Sequence, residues 1–130
     1  MKRRTAREKA LQALFQIDVS QADPSEAIDH VLEGEEGDDY LTLLVTGVLE
    51  NKEEIDSLIK QYLEKWKLER LATVDRNLLR QGVYELKYSK DVPANVVIDE
   101  AIEIAKIFGD DNSSRFINGV LSKVKDNLES

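Results

Sequence analysis

The sequence contains no cysteine, and this absence excludes several kinds of functional site. Without thiols the chain has neither a disulfide framework nor a thiolate nucleophile, which fits a reducing cytoplasm. His30 is the only histidine, and we interpret it as a surface residue because no cysteine accompanies it. The sequence therefore offers little chemistry for catalysis or metal binding.

The sequence also lacks the signals of membrane insertion, secretion and nucleotide binding. No uninterrupted apolar run is long enough to cross a bilayer, and no apolar segment with a cleavage pattern follows the N-terminus. The six glycines form neither a P-loop nor a dinucleotide-binding motif, and the acidic clusters lack the alternating positions of a calcium loop. We expect a soluble cytoplasmic protein that has no enzymatic activity and needs no cofactor or metal.

What the sequence does have is helical periodicity. Apolar residues recur every three or four positions along most of the 130 residues, and no segment alternates for long enough to indicate a strand. This pattern predicts an all-α fold of about seven helices. Asp23 and Pro24 predict one helix start, Pro93 precedes another, and residues 112–114 offer caps for the last helix. The apolar stripe from Ile55 to Trp66 predicts a single helix that buries this face.

The length of the chain favours one domain over residues 1–130. The polar connection GEEGDD, at residues 34–39, allows a division into two subdomains, residues 1–33 with 38–66 and residues 72–130. We do not expect these subdomains to fold independently.

Positive charge is concentrated at the N-terminus, although the whole chain carries a formal net charge of -8. Lysine and arginine neutralise phosphates and release condensed counterions, so such a cluster favours nucleic acid as a ligand. The alternative is a solvated basic tail. The first nine residues hold one acid, Glu8, and five basic residues: Lys2, Arg3, Arg4, Arg7 and Lys9.

Two further groups of residues suggest recognition surfaces. On the first helix, Leu11 and Phe15 continue a row that begins at Arg4, and they either contact a partner or widen the core stripe. Near the other end of the chain, the first turn of the last helix combines a cation, an aromatic ring and an amide, which suits a single nucleic-acid strand. These residues are Arg115, Phe116 and Asn118; taken alone, Phe116 is typical of a core position.

Five segments of the chain resemble the NusB family, and they occur in the family's order. They are RRTAREKALQALFQ (3–16), VTGVLENKEEID (45–56), LERLATVDRNLLRQGVYEL (68–86), VPANVVIDEAIEIAKIFG (92–109) and RFINGVLSKV (115–124). The combination of YEL, VP, DEAIEIAK and FINGVL is specific. A related helical domain occurs in some ribosomal RNA cytosine methyltransferases, but we expect no methyltransferase domain here because nothing follows Ser130.

The resemblance implies two small packed helical bundles and a role in transcription antitermination. Members bind the boxA element of nascent RNA together with NusE, a small-subunit ribosomal protein. The complex joins other Nus factors on RNA polymerase and favours continued transcription, notably of ribosomal RNA operons. On this basis the chain is an adaptor and not an enzyme. Two alternatives are a protein-only interaction module and an accessory domain of an RNA methyltransferase; a homodimer and a monomer both fit the sequence.

The resemblance also assigns residues, with Asn118 and Leu11 added from the patterns above. The predicted RNA contacts are Lys2, Arg3, Arg4, Thr5, Arg7, Arg115, Phe116 and Asn118. The predicted contacts with NusE are Leu11, Phe15, Asp75 and Arg76. Phe15 stands where some members have tyrosine; it keeps the aromatic area but has no hydroxyl with which to form a hydrogen bond. Arg76 and Arg80 either extend one of these surfaces or form ion pairs with nearby acids.

Overall fold

The computed structural model describes residues 1–129, which form seven α-helices joined by short connections. The helices are α1 (Arg3–Ser20), α2 (Pro24–Leu32), α3 (Asp39–Glu50), α4 (Lys52–Lys60), α5 (Thr73–Tyr88), α6 (Ala94–Phe108) and α7 (Ser113–Glu129). A 3-10 turn, Leu68–Arg70, lies between α4 and α5, and no strand occurs within these 129 residues. The predicted all-α fold of about seven helices is confirmed.

Several helices begin where the sequence predicts. The Asp23 carboxylate accepts hydrogen bonds from the backbone N–H groups of Ser25 and Glu26, at 3.2 and 3.4 Å, and Pro24 is the first residue of α2. Helix α6 starts directly after Pro93, whose fixed φ and missing N–H suit a helix N-terminus. Helix α7 starts inside the predicted range 112–114.

The predicted extent of α4 is wrong. The helix ends at Lys60, and the chain then tightens, with the Tyr62 N–H donating to the Ile59 carbonyl at 2.9 Å. The apolar spacing continues past this end because Tyr62 and Leu63 still pack against the core from an irregular segment. Trp66, expected on the buried face, is 60 % exposed.

Helix α5 lies at the centre of the packing. It contacts α1, α3 and α4 on one side and α6 and α7 on the other, while α1 also packs against α2 and α3. Every long helix contributes fully buried side chains to one continuous apolar core: Leu14, Leu44, Ile59, Leu79, Ile104 and Leu121 are among them. The first turns of α1 and α7 stay at the surface. Within residues 1–129, no helix combines the length and apolarity that crossing a bilayer requires.

Candidate nucleic-acid interface

The first turn of α1 presents unpaired N–H groups and basic side chains together. It contains no acidic residue, and the side chain of Lys2 makes no capping hydrogen bond. Lys2, Arg3 and Arg4 are exposed, and Thr5 is half-buried. Because the N-terminus of a helix carries a partial positive charge and free N–H donors, this turn is suited to bind phosphate groups.

Neighbouring helices orient the two exposed arginines without covering them. The Arg3 guanidinium lies 3.9 Å from the centre of the Tyr40 ring, a cation–π arrangement. The Nε of Arg4 lies 3.2 Å from both carboxylate oxygens of Glu100 on α6. This hydrogen bonding and the arginine's charge lower the pKa of Glu100. Both cations are thus held at the surface, where a phosphate can reach them.

The third arginine of the motif, Arg7, points inward. Its side chain is 4 % exposed, and two of its nitrogens bond the Glu85 carboxylate, with Nε to Oε1 and Nη2 to Oε2 both at 2.9 Å. The hydroxyl of Tyr40 donates to the same carboxylate at 2.5 Å. Burial opposes the charge on Arg7, but the bonds to Glu85 outweigh it and raise the pKa of the guanidinium.

Arg7, predicted to contact RNA directly, is therefore buried beside Glu85 in this structure, and its contact with RNA stays a prediction. Helical spacing puts Arg7 one turn beyond Arg4, on the side of α1 that packs against α5. Its guanidinium is enclosed, with Nε and Nη2 bonded to Glu85 and Nη1 3.5 Å from a Glu100 oxygen, so little of it is open to a phosphate. Arg7 instead fixes the basic turn onto the helix that carries Glu85.

The first turn of α7 carries the second predicted group. Arg115 and Asn118 are exposed and Phe116 is half-buried. Arg115 forms no ion pair within 4.0 Å among residues 1–129, and the Asn118 side-chain oxygen accepts a hydrogen bond from the Ser122 hydroxyl at 3.1 Å. Phe116 lines two grooves, of about 430 Å³ and about 220 Å³, that it shares with Trp66. Part of the Phe116 ring is therefore accessible to a ligand.

The two partner candidates on α1 separate into a core and a surface residue. Leu11 is 2 % exposed and belongs to the apolar core, which fits the alternative that it widens the core stripe; its contact with a partner stays a prediction. Phe15, one helical turn further on, is 38 % exposed. Leu11 therefore faces the core and Phe15 is partly exposed to solvent. Of the two, only Phe15 has exposed surface area that a partner can contact.

Asp75 lies in the larger groove, next to Phe116 and not beside Phe15. It is half-buried, and its Oδ1 is enclosed without a hydrogen-bond partner among residues 1–129. Burial raises the pKa of Asp75, and the neighbouring charge of Asp110 adds to the effect, although a hydrogen bond from Ser113 opposes it. The Asp75 carboxylate thus lines the groove with one enclosed oxygen that has no hydrogen-bond partner.

Arg76 and Arg80 are occupied by internal contacts. The Nε of Arg76 donates to Asp18 at 2.9 Å, and its Nη1 reaches the carbonyls of residues 68, 69 and 71. Arg80, 7 % exposed, bonds Asp56 at 2.8 Å. Arg76 thus forms the ion pair with a nearby acid that the sequence left as its alternative, and a contact of Arg76 with NusE stays a prediction.

Sequence reasoning missed Trp66 as a candidate site residue because its spacing matches the apolar stripe of α4. Its neighbours Lys65 and Lys67 do not distinguish it, because Ile55 of the same stripe lies between Glu54 and Asp56 and is fully buried. Within residues 1–129, no group of histidine, aspartate and glutamate side chains is arranged to hold a metal ion. The exposed or half-buried candidates thus consist of cations, aromatic rings and Asp75.

Comparison with known proteins places these residues in a family. The model of the NusB family matches residues 4–126. The chain is 60 % identical to the transcription antitermination protein NusB of Bacillus licheniformis over 129 residues, which cover 99 % of this chain and 100 % of the relative. It is 58 % identical to the NusB of Bacillus velezensis over 130 residues, with full coverage of both.

Solved structures agree with the sequence relatives. A T. maritima NusB structure superimposes with a TM-score of 0.90 at 41 % identity, covering 97 % of this chain and 92 % of the other. A chain in the crystal structure of antitermination factors NusB and NusE in complex with dsRNA gives a TM-score of 0.86 at 32 % identity, covering 96 % of each chain.

Proposed function

The chain belongs to the NusB family of transcription antitermination factors, and we propose that it binds boxA RNA together with NusE. The observation that carries this proposal is the set of exposed cations on the first turn of α1, in a chain of net charge -8. The related complex of NusB and NusE with dsRNA supports both partners. The resulting assembly joins other Nus factors on RNA polymerase in the cytoplasm, and the chain's part is that of an adaptor without a catalytic step.

The proposed RNA surface combines the basic turn with the start of α7. Lys2, Arg3 and Arg4 contact phosphates, helped by the free N–H groups of the same turn. The accessible part of Phe116 packs against a base. Thr5, Arg115 and Asn118 complete the proposed surface. Arg7 has a positioning role, because its bond to Glu85 holds the basic turn against α5.

The proposed NusE surface comprises Phe15 and Asp75. Phe15 supplies accessible aromatic area, and aromatic residues are enriched where proteins meet. The unpaired Asp75 oxygen would accept a hydrogen bond from a basic side chain, which would relieve its unfavourable burial. A basic ribosomal protein has the complementary charge for this acidic chain.

The charge distribution explains why a partner is needed. One basic turn supplies few phosphate contacts, and the acidic remainder of the chain repels the rest of an RNA strand. NusE would extend the contact surface with its own cations. We therefore expect the chain alone to bind RNA weakly and the complex with NusE to bind it more tightly.

Arg4→Ala and Phe15→Ala test the two surfaces separately. In the complex with NusE, Arg4→Ala should weaken binding of labelled boxA RNA and lower the slope of log affinity against log salt by about 1. Phe15→Ala should instead weaken binding of NusE. The matched control is Lys52→Ala, which removes an exposed cation beside the opposite end of α1. If Arg4→Ala binds RNA as Lys52→Ala does, the basic turn is no RNA site and a protein-only role is favoured.

A further inference from the structure

Trp66 is the only tryptophan in the chain, and 60 % of it is exposed. It lies in the irregular segment between α4 and the 3-10 turn, where it stands at the edge of the groove of about 220 Å³. Phe116 lines the same groove from the first turn of α7. Two aromatic rings from distant parts of the sequence are thus brought to one surface depression.

The charge of this groove is opposite to that of the molecule. Its lining contains three cations and a single acid, Glu64, in a chain whose net charge is -8. Glu64 is paired with Lys123 at 3.0 Å, while Lys65 and Arg115 form no ion pair within 4.0 Å among residues 1–129. The groove therefore has positive charge available for an anionic ligand.

The floor of the groove allows a flat group to approach the helix. Gly119 lines it from α7, and a Cβ built at this position would meet no atom within 4 Å. Open space at a glycine, together with two aromatic rings and three cations in the lining, suits an unpaired base with its phosphate. Base stacking on aromatic side chains and backbone contacts to lysine and arginine are how proteins hold single strands.

The larger groove, which the same two rings also line, has a different character. Its charged lining residues are Arg70, Asp75 and Asp110, so its acids outnumber its cations. A phosphate would be repelled there, whereas a basic protein side chain would be attracted. The two aromatic rings therefore line both a cationic groove and an acidic one.

We propose that Trp66 is a second base-stacking residue for RNA, and that it forms one subsite with Phe116, Arg115 and Lys123. The subsite takes one unpaired base between the rings, while the two cations contact the flanking phosphate. Lys123 exchanges Glu64 for that phosphate on binding. This inference rests on the proposed function, because it extends the RNA path that includes Phe116.

The indole of Trp66 can report on its own contact. Labelled boxA RNA is titrated into the complex of the full chain with NusE, and both tryptophan emission and RNA anisotropy are recorded. Stacking of a base should quench the emission in step with the anisotropy. Trp66→Phe serves as the optical blank, since any emission change that persists in this variant comes from the partner.

Affinities of three variants complete the test. Trp66→Ala should weaken RNA binding about 5-fold or more, which corresponds to the loss of one stacked base. Trp66→Phe should retain most of the affinity. Ile107→Ala, which truncates an equally exposed apolar residue on α6, should bind RNA as the unmodified chain does. Circular dichroism of each variant verifies the helical content.

Other outcomes identify what has failed. If RNA binds the unmodified complex but Trp66→Ala has the same affinity and the emission is unchanged, the subsite is refuted and the RNA-binding function stands. Loss of NusE affinity in Trp66→Ala without loss of RNA affinity would make this groove a protein contact and overturn the inference. Absence of RNA binding by the unmodified complex would overturn both the subsite and the proposed function.

Discussion

At the scale of single residues, the arginine-rich segment divides into two roles. Arg3 and Arg4 remain exposed, whereas Arg7 is enclosed with Glu85 and Tyr40 between α1, α3 and α5. Glu85 is 2 % exposed, and each of its oxygens accepts at least one hydrogen bond. The exposed cations Arg3 and Arg4 are thus held in place by Arg7, which is buried in this structure.

Arg7→Ala should therefore reduce stability. Removing one partner of a buried ion pair leaves the other charge unpaired, at a cost of about 3–5 kcal/mol. Urea denaturation measures the loss in the free energy of unfolding. Arg3→Ala is the control, because an exposed arginine with a 4.0 Å ion pair should change stability by no more than about 0.5 kcal/mol. Equal stability of the two variants would contradict the anchoring role of Arg7.

Asp75 gives a pH-dependent prediction. Burial raises the pKa of Asp75 in the folded state. The protonated carboxyl therefore favours folding below the ordinary Asp pKa of about 3.9, and this stabilisation is lost as the pH rises through the raised pKa. Asp75→Asn should therefore be more stable than the unmodified chain at neutral pH. This advantage should disappear as the pH falls below the ordinary range for Asp.

Urea denaturation at several pH values checks this expectation. The control is Asp111→Asn, which changes an exposed acid next to the same groove. If Asp75→Asn gains no stability over this control at neutral pH, the carboxylate is not unfavourably buried. Its proposed role as an acceptor for a basic partner group would then lose its physical basis.

At the scale of helices, local signals in the sequence predict starts better than ends. Asp23 with Pro24, and Pro93, act on adjacent backbone groups, so their effects can be read without knowing the fold. The end of α4 could not be read in this way, because apolar spacing persists through Tyr62 and Leu63 after the helix has stopped. Whether such residues continue a helix depends on where the chain must turn to reach α5.

In the candidate site, too, local sequence patterns predict some features, whereas features that depend on packing between distant segments cannot be predicted. Charge clustering predicts the exposed basic turn, since Lys2, Arg3 and Arg4 lie together in sequence. The burial of Arg7 depends on Glu85, which lies 78 positions away and reaches Arg7 only through packing of α1 against α5. Periodicity likewise cannot tell Leu11 from Phe15, because their difference in exposure depends on which helices cover that side of α1.

Close approach of α3 and α5 gives a prediction at this scale. A Cβ at Gly47 would overlap the Tyr84 ring, so Gly47→Ala should lower the free energy of unfolding by about 1–3 kcal/mol. Gly119→Ala is the matched comparison, since its Cβ would meet nothing within 4 Å and alanine favours a helix interior by about 1 kcal/mol. Thermal unfolding should show opposite shifts. A stabilised Gly47→Ala would contradict the observed α3–α5 packing.

At the scale of the whole molecule, charge segregation connects the fold to the function. The chain is acidic overall, yet exposed cations are grouped at the first turn of α1 and around the groove shared by Trp66 and Phe116. The acidic remainder limits how much RNA the chain can bind alone, and the same acidity favours a basic protein partner. Selective RNA binding is therefore expected of the complex with NusE.

The most direct test of this account measures binding of labelled boxA RNA and of a scrambled RNA, at two salt concentrations, with and without NusE. The account predicts weak, salt-sensitive and unselective binding by the chain alone, and tighter binding that prefers boxA once NusE is present. Equal, weak binding of both RNAs in the presence of NusE would contradict it and would leave the basic turn as a nonspecific feature.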